Sequence, residues 1–399
     1  MSEKQRLLEL TESVGPLQRG SIVPSLILER TRTAILKHEK EGKPFFRLDE
    51  IARIQNYLSS AAGKPGHLFS FQDSFGNQQS YVSKYDNGTP LVELRSLQYS
   101  ITHVHEFGIE IPLYSPGLVK GNPAIAVTNE SLVEEGAAHH ALDPRKYPDS
   151  MNLARVREIF NEARDQYHKS KFPAIILKAL SDIEQRIDNV VCFDLGTFEA
   201  DVCGSYANTR GAPRCTTHHL LALMIRDYVA AVNLRRTVPL IFQASEYTDD
   251  TVTVLEGLGC VVLRDNTTAF NHITENSLVI WTGKEGPMPV PVKQVIADFP
   301  FQATPLPLPR AMLWPEEEPT HIQDVLEPVK ILKHLPYTPR WASLSTMDTP
   351  RTNQLHNGYD RHRLPSLPDY DPFDFRIKAL ALYTRKERVD IENRLRRHL

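Results

Sequence analysis

The chain is short of the features that mark several large classes of protein. Four cysteines in 399 residues, with no C-x-x-C pair, exclude a disulfide-stapled scaffold and argue against structural zinc and thioredoxin chemistry. No apolar run reaches the length that a bilayer requires, so no membrane span is predicted. The 46 Lys and Arg nearly balance the 49 Asp and Glu, whereas a nucleic-acid-binding chain is clearly basic. We therefore expect no nucleic acid among the partners.

The N-terminus and the overall composition indicate a folded protein inside the cell. Residues 1–10 are charged and lack the apolar core of a signal peptide, which predicts a cytoplasmic location, a nuclear location, or both. Apolar residues make up 41% and charged residues 24%, so most of the chain is expected to fold. A length of 399 residues corresponds to two domains, or to one large domain with extensions.

Helix and strand patterns divide the chain into three regions, of which the first is residues 1–150. This region is predicted as an α+β extension, with helices over residues 25–41 and from Asp49 onward. Glycine, asparagine and aspartate interrupt its apolar runs, which is typical of short strands separated by turns. The predicted strands are Leu68–Phe71, Gln79–Val82 and Ile101–Phe107.

Residues 151–325 carry the pattern of an α/β domain. Helices are predicted over 153–169, 174–186, 218–232 and 249–258. Short buried strands that alternate with helices predict a Rossmann-like, mostly parallel sheet flanked by helices. The four apolar runs of strand length are Val190–Phe193, Leu240–Gln243, Cys260–Leu263 and Leu278–Trp281.

The last part of the chain is rich in proline. Nine prolines lie within residues 287–319, and we expect this segment to wrap an edge of the sheet, because proline disrupts helices and central strands. Residues 326–399 are predicted as an irregular tail that is broken by proline over 345–371. The tail is expected to end in a basic helix over 375–399.

The clearest candidate site follows the first strand of the α/β region. Val190–Phe193 runs into Asp194, Gly196 and Thr197, and ligands in open α/β sheets bind beyond the carboxyl ends of the strands. Glycine at this point lets a ligand approach the backbone closely. We therefore predict these three residues as cofactor contacts. The alternative is an ordinary strand end, with a turn glycine and a solvated aspartate.

Other candidate cofactor contacts follow at the next helix and at the ends of the next two strands. His218 and His219 are predicted to open the helix, whose free backbone N–H groups suit an anion. Glu246 follows the second strand, where a nucleotide enzyme holds ribose hydroxyls with an acid. Asp265 and Asn266 follow the third strand. The alternatives are structural, namely a helix N-cap after the second strand and a turn after the third.

The loop around Gly196 resembles the first nucleotide-contact loop of methyltransferases that use S-adenosylmethionine. Phe198 stands where that loop usually carries a further glycine, and the G-x-G-x-x-G fingerprint of dinucleotide-binding proteins is absent. The cofactor is therefore unknown, and S-adenosylmethionine or a nucleotide is expected if one is bound.

One pair of histidines suits a metal. His103 and His105 alternate on one face of a predicted strand, and Glu106 follows them. The sequence places no third ligand beside the two histidines, and exposed strand residues are the alternative interpretation. No metal site is therefore predicted.

The residues between Val190 and Pro315 also resemble a known family. They resemble the Sensitivity-to-Red-light-Reduced (SRR-like) domain, most closely that of filamentous fungi, over roughly residues 153–315. The family is named for a plant protein in phytochrome signalling and clock output, and no reaction is established for it as a whole. The resemblance implies a regulatory protein of unknown biochemistry. The stretches that carry it, by their order and spacing, are Val190–Phe198, His219–Tyr228, Tyr247–Thr248, Val254–Gly259 and Val290–Asp298.

Three functional hypotheses follow. The first is a regulatory or interaction protein on a Rossmann-like scaffold, which implies an unidentified protein partner. The second is a transferase that uses S-adenosylmethionine or a nucleotide at the strand-end site around Asp194 and Gly196. The third is a family member whose site has decayed, which predicts neither a ligand nor a partner. Whether the chain is an enzyme stays open at this point, and no catalytic residue is assigned.

Overall fold

The protein is represented by a computed structural model. It describes residues 37–61, 68–72, 78–82, 90–94, 125–129, 153–198, 214–234, 237–244, 247–265, 267–282, 291–315, 349–364 and 380–386. The predicted strand at Ile101–Phe107 and most of the predicted helix over 25–41 lie outside these residues.

Seven helices and eleven strands are found in the described part of the chain. The helices are α1 (Leu48–Ala61), α2 (Leu153–Lys169), α3 (Phe172–Leu180), α4 (Arg214–Val232), α5 (Asp249–Gly257), α6 (Val292–Ala297) and α7 (Pro350–Asn357). The strands are β1 (Leu68–Gln72), β2 (Gln78–Val82), β3 (Pro90–Leu94), β4 (Ile125–Asn129), β5 (Asn189–Phe193), β6 (Leu240–Gln243), β7 (Val261–Leu263), β8 (Ser277–Trp281), β9 (Ala311–Pro315), β10 (Tyr359–Arg363) and β11 (Leu380–Arg385).

A seven-stranded mixed sheet organises the molecule. Its strands lie in the order β10-β11-β9-β8-β5-β6-β7. Neighbours among β5 to β9 pair in parallel, whereas β11 is antiparallel to both β9 and β10. The prediction of a mostly parallel sheet with helices is confirmed. Two separate antiparallel pairs, β1-β2 and β3-β4, come from the first third of the chain.

Both faces of the large sheet are covered, which makes three layers. In β5, Val190 and Cys192 point to a core that they share with α2, α3, α4 and α5. Val191 and Phe193 point the other way, to a core that includes residues of α1, α6 and α7. Alternate residues of a strand face opposite sides, so a sheet covered twice needs continuous apolar strands. This is why the short apolar runs of the sequence marked the strands.

The N-terminal elements join one of these two cores. Phe45 and Phe46 are fully buried, and Phe69 and Phe71 of β1 are nearly so, all within the same core as Val191. The predicted helix after Asp49 and the strands β1 and β2 are found, whereas β3 and β4 were not predicted. Residues 45–46, α1 and β1 therefore complete the hydrophobic core of the large sheet on that face.

The proline-rich segment was predicted to wrap an edge of the sheet, and this prediction is wrong. The proline-rich segment forms α6 and then β9, and β9 pairs with β8 on one side and with β11 on the other. Residues 311–314 contain no proline and are all buried. Of the prolines that the structure describes, Pro300 lies in the 3-10 helix Phe299–Phe301, Pro315 takes the last position of β9, and the others lie in the connections around α6.

The prediction of a basic helix over 375–399 is also wrong over Leu380–Arg385, because these residues form strand β11. Leu380–Tyr383 are at most 3% exposed, because alternate side chains enter the two opposite cores. The predicted irregular segment 345–371 contains helix α7, which Thr349 caps by accepting a hydrogen bond from Thr352 N, and strand β10. The sheet thus takes two strands from beyond residue 325.

Among the residues that the structure describes, no helix combines the length and the apolar character needed to cross a bilayer.

Candidate functional site

The order of the parallel strands places a topological switch point at the carboxyl end of β5. Across the sheet, the five parallel strands lie in the order β7-β6-β5-β8-β9. Numbered by their appearance along the chain, this is the order third, second, first, fourth, fifth. The chain leaves β5 toward α4 on one face and leaves β8 toward α6 on the other. Ligands of open α/β sheets bind where the strand order reverses in this way. The predicted residues after β5 therefore lie at the expected position.

Asp194 occupies an unusual backbone conformation at this switch point. Its φ is 51°, in the left-handed region that few residues other than Gly, Asn and Asp adopt. Its backbone N–H donates to the carbonyl of Gln243 at the end of β6, at 3.0 Å. Gly196 follows with a φ of 82°, which a side chain would strain. The two residues turn the chain sharply and leave Asp194 half-buried.

The rest of the loop is fastened into the core. Gly196, Thr197 and Phe198 are buried, and the backbone N–H of Phe198 donates to the Thr251 hydroxyl of α5 at 3.3 Å. The Phe198 ring is fully buried, and its centroid lies 4.9 Å from that of the His219 ring. The position where the nucleotide loop has a glycine is thus filled by an aromatic side chain.

His218 and His219 do not open helix α4, which begins at Arg214, so this prediction is wrong. His219 is fully buried, and its Nδ1 lies 2.7 Å from the carbonyl of Cys215, one turn earlier. Its Nε2 lies 2.9 Å from the Tyr247 hydroxyl. A carbonyl only accepts, so Nδ1–H donates to it, and in the neutral imidazole Nε2 accepts from the Tyr247 O–H. Both nitrogens of His219 are therefore bonded within the protein.

Burial also sets the pKa of His219. Removal from water disfavours the charged imidazolium and lowers its pKa to about 4, although the bond to the Cys215 carbonyl opposes this shift. An imidazole with this pKa stays neutral at pH 7. The side chain therefore supplies no charge to an anionic ligand, and the backbone N–H groups predicted to receive an anion belong to the first turn of α4, which begins at Arg214.

The end of β7 builds a turn. Asp265 Oδ1 accepts from the backbone N–H groups of Thr267 at 2.7 Å and Thr268 at 2.6 Å, and it also lies 3.2 Å from the Thr267 hydroxyl. These bonds start the 3-10 helix Thr268–His272, which agrees with the structural alternative for Asp265. Glu246 and Asn266 lie outside the described residues. Thr248 caps α5 by accepting from Thr251 N, as the alternative for the second strand end proposed.

The structure thus brings Asp194, Gly196 and Thr197 together with Gln243, and it assigns His219 and Asp265 to internal contacts. Gln243 is buried; its Oε1 accepts from Ala269 N at 2.6 Å, whereas its Nε2 has no hydrogen-bond partner among the described residues. Within the described ranges, no three His, Cys, Asp or Glu side chains are arranged to hold a metal ion. His103, His105 and Glu106 lie outside those ranges.

Sequence reasoning missed two tryptophans at the same edge. Trp281 ends β8 and Trp314 is the penultimate residue of β9, and both are buried, with no partner for their indole N–H groups in the part of the chain that the structure describes. The available signal was the tryptophan near the carboxyl end of each strand. Its meaning depends on the register between β8 and β9, which the sequence does not show.

Fold and candidate site together define an α/β protein with a mostly parallel sheet and a topological switch point at the end of its first parallel strand. In comparisons with protein-family models, curated proteins and solved structures, nothing matches this chain. The resemblance to the SRR-like domain stays a prediction.

The buried His219 predicts how stability depends on pH. An unfolded histidine titrates near 6.5 and the folded His219 near 4, so between these values the unfolded chain binds more protons. The free energy of unfolding should fall as the pH drops from 6.5 to 4, by about 3 kcal/mol from this residue. Urea denaturation at pH 7 and pH 4.5 measures the change.

A non-titrating variant isolates the effect of His219. His356, whose pKa is also lowered to about 4, adds a change of the same sign, and Asp298, whose pKa is raised to about 6, opposes it. Wild type and His219→Gln both contain His356 and Asp298, so the contributions of these two residues cancel when the proteins are compared. The variant should lose less stability on acidification than wild type does. The exposed His272→Gln is the matched control. An equal pH dependence of stability in wild type and His219→Gln would contradict the lowered pKa of His219.

Proposed function

We propose that this chain is an SRR-like regulatory protein, cytoplasmic or nuclear, whose Rossmann-like domain serves as a scaffold for a protein partner. The observation that carries the proposal is the internal use of two predicted cofactor contacts, His219 and Asp265, and of the loop beside them. Phe198 fills the position of the loop glycine, and both nitrogens of His219 are bonded within the core. Groups used in this way hold the fold together and are not available to a cofactor.

The energetics support a structural role for this part of the edge. Opening the loop for a cofactor would expose the Phe198 ring, and burial of such a side chain contributes roughly 1.5–3 kcal/mol. It would also leave the partners of His219 unsatisfied in an apolar core, at about 1–3 kcal/mol for each buried group. A cofactor bound in that place would have to offset both costs.

A second candidate, a transferase that uses S-adenosylmethionine or a nucleotide, is favoured by the sheet itself. Strands β5 to β9 follow the third-second-first-fourth-fifth order that binds nucleotides at its switch point. Asp194 stands at that point with a left-handed backbone, and strained residues cluster at functional sites. Fold alone does not decide, because function lies in the site and not in the scaffold.

A ligand panel separates the two candidates. Thermal unfolding is measured with S-adenosylmethionine, S-adenosylhomocysteine, NAD(P), ATP, GTP and haem. A ligand at 100 times its Kd adds about 2.7 kcal/mol, which corresponds to roughly 2–4 °C for a chain of this size. The scaffold proposal expects no saturable rise that depends on Asp194. A rise that disappears in Asp194→Asn would favour the transferase, and asparagine is the suitable variant because it tolerates a positive φ.

The proposal also expects a specific protein partner. The tagged protein, purified from the cells that express it, should retain one partner at constant stoichiometry through size exclusion. Leu234 is a suitable surface variant, because it is 94% exposed at a positive φ and contributes little to the core. Leu234→Asp should leave thermal unfolding unchanged and tests whether the partner uses this surface. Absence of both a partner and a ligand response would contradict the two candidates together.

A further inference from the structure

The connection between α6 and β9 presents an exposed apolar surface. Residues 299–309, defined here as the proline loop, contain four prolines and no charged residue, in a chain of which 24% is charged. Phe301 is 37% exposed, and it is one of three large apolar side chains that are exposed in the described part of the chain. Exposed apolar residues that adjoin one another mark interaction surfaces, whereas scattered single ones are ordinary. The other exposed residues of the loop are Pro300, Ala303, Thr304, Pro305 and Pro307.

The inner side of the proline loop is fastened to the rest of the protein. The backbone N–H of Leu306 donates to the carbonyl of Phe299 at 3.0 Å, which closes the loop at its base. The carbonyl of Leu308 accepts from Arg385 Nη1 at 2.6 Å. The side chains of Leu306 and Leu308 pack against the core that contains α6. The exposed residues are therefore carried on a backbone that is held in place.

The prolines also restrict the conformations of this backbone. Proline fixes its own φ at about −65°, and it confines the residue before it to extended conformations. Prolines at 305, 307 and 309 apply these two restrictions in turn to every residue of 304–309, which belong to no helix or strand. The segment is therefore extended before any partner arrives. An extended segment that is already ordered loses little conformational entropy on binding.

The chemistry of the proline loop indicates which kind of partner fits it. A proline nitrogen carries no hydrogen, so a partner that covers Pro305 and Pro307 removes no N–H group from water at these positions. The loop has no charge of its own to pair with a charged partner. Extended proline-rich segments are bound in grooves that are lined by aromatic side chains. A partner with such a groove matches both the shape and the apolar character of the loop.

We infer that the proline loop is a docking surface for a protein domain with an aromatic-lined groove. Pro305 and Pro307 enter the groove, and the exposed ring of Phe301 extends the contact. The Arg351 guanidinium stacks on the other side of this ring, 4.0 Å from its centroid, and holds the ring in position. The inference rests on the proposed function, because it names the kind of partner that the scaffold binds.

A panel of purified domains tests the inference. The probes are fluorescently labelled domains that bind proline-rich peptides in aromatic-lined grooves, WW domains among them. Each is titrated with the full-length protein up to about 200 µM, which detects micromolar affinities. We expect a saturable change in fluorescence anisotropy with at least one domain of the panel.

Variants tie the binding to the proline loop. The double variant Pro305→Ala with Pro307→Ala removes both exposed rings and should weaken binding by about tenfold or more. Ala303→Glu keeps every proline and puts a charge on the same exposed surface, so it tests the contact if the double variant does not fold. The matched control is Pro239→Ala, an exposed proline before β6, which β5 and β8 separate from β9. Its affinity should equal that of wild type.

Three results would overturn the inference. One is the absence of saturable binding to every domain of the panel. Another is equal affinity in wild type and the double variant. The third is self-association, measured by light scattering, that Ala303→Glu abolishes, because a second copy of the chain would then occupy the loop. A partner purified from cells that binds the double variant as tightly as wild type would support the proposed function and contradict this inference, so the two failures are distinguishable.

Discussion

Removal of residues 375–399 is expected to abolish the folded state. This deletion takes away β11, which lies inside the sheet between β9 and β10. Its residues Leu380–Tyr383 are at most 3% exposed, and burial of each large apolar side chain contributes roughly 1.5–3 kcal/mol. The sum is comparable to the whole stability of a domain, about 5–15 kcal/mol. The expected product is insoluble, or lacks a cooperative urea transition followed by circular dichroism.

A shorter deletion provides the control. Removal of residues 389–399 leaves every described strand in place and should unfold at nearly the urea concentration of the full chain. Leu382→Asp tests the same strand without shortening the chain, because Leu382 enters the core that contains α2 to α5. A cooperative transition of normal size after removal of 375–399 would show that β11 is dispensable.

Loss of the Asp298 carboxylate is expected to cost about 3–5 kcal/mol, because it leaves a buried guanidinium without its counter-ion. Asp298 is fully buried, and its Oδ1 lies 2.5 Å from Arg351 Nη1 and accepts from Gln294 Nε2 at 3.1 Å. Its Oδ2 accepts from the backbone N–H groups of Phe45 and Phe46 at 2.8 and 2.9 Å. One carboxylate thus connects the N-terminal residues, α6 and α7.

Both members of the Asp298–Arg351 ion pair make further contacts. Arg351 is 4% exposed, donates to the carbonyl of Lys43 at 3.0 Å, and stacks over the Phe301 ring at 4.0 Å. Burial raises the pKa of Asp298 to about 6, against the opposing effect of Arg351, so the carboxylate is charged at pH 7. Four donors surround it, and a charged carboxylate is the form that accepts them all.

A double-mutant cycle measures this coupling. Asp298→Ala and Arg351→Met are each expected to lower the free energy of unfolding strongly, and the double variant should lose less than the sum, because neither charge is then left alone. The exposed pair Arg264–Asp249, at 2.5 Å, is the control, and Arg264→Ala should cost no more than about 1 kcal/mol. Additive losses in the cycle would show that the two residues act separately.

Much of the sheet was predictable from local sequence. The strands β5 and β6 each contain an uninterrupted apolar run, Val190–Phe193 in β5 and Leu240–Phe242 in β6, as strands covered on both faces require. Helix α2 repeats buried residues such as Val156, Phe160 and Ala163 at helical spacing, and its predicted limits are those observed. Burial on both faces and helical periodicity are local patterns, so they can be read without a structure.

The strands β9 and β11 were not predictable in the same way. Prolines surround β9, and basic residues surround β11, so local composition indicated irregular chain and helix. What makes them strands is the presence of neighbours: β8 offers a parallel edge to β9, and β9 offers the next edge to β11. Strand pairing is a contact between distant segments, and composition does not record it.

For the candidate site, the sequence predicted a position at a strand end, and the tertiary structure decided which side chains there are used in internal contacts. The strand-end rule located Asp194 and Gly196 from a short apolar run, because the carboxyl edge of a parallel sheet follows from chain direction alone. Whether a polar side chain there is free or bonded depends on packing, which buried His219 and left the donors of Trp281 and Trp314 without a partner among the described residues. The direction of each strand can be inferred from the sequence. The burial of a side chain and the register between two strands depend on contacts between distant segments.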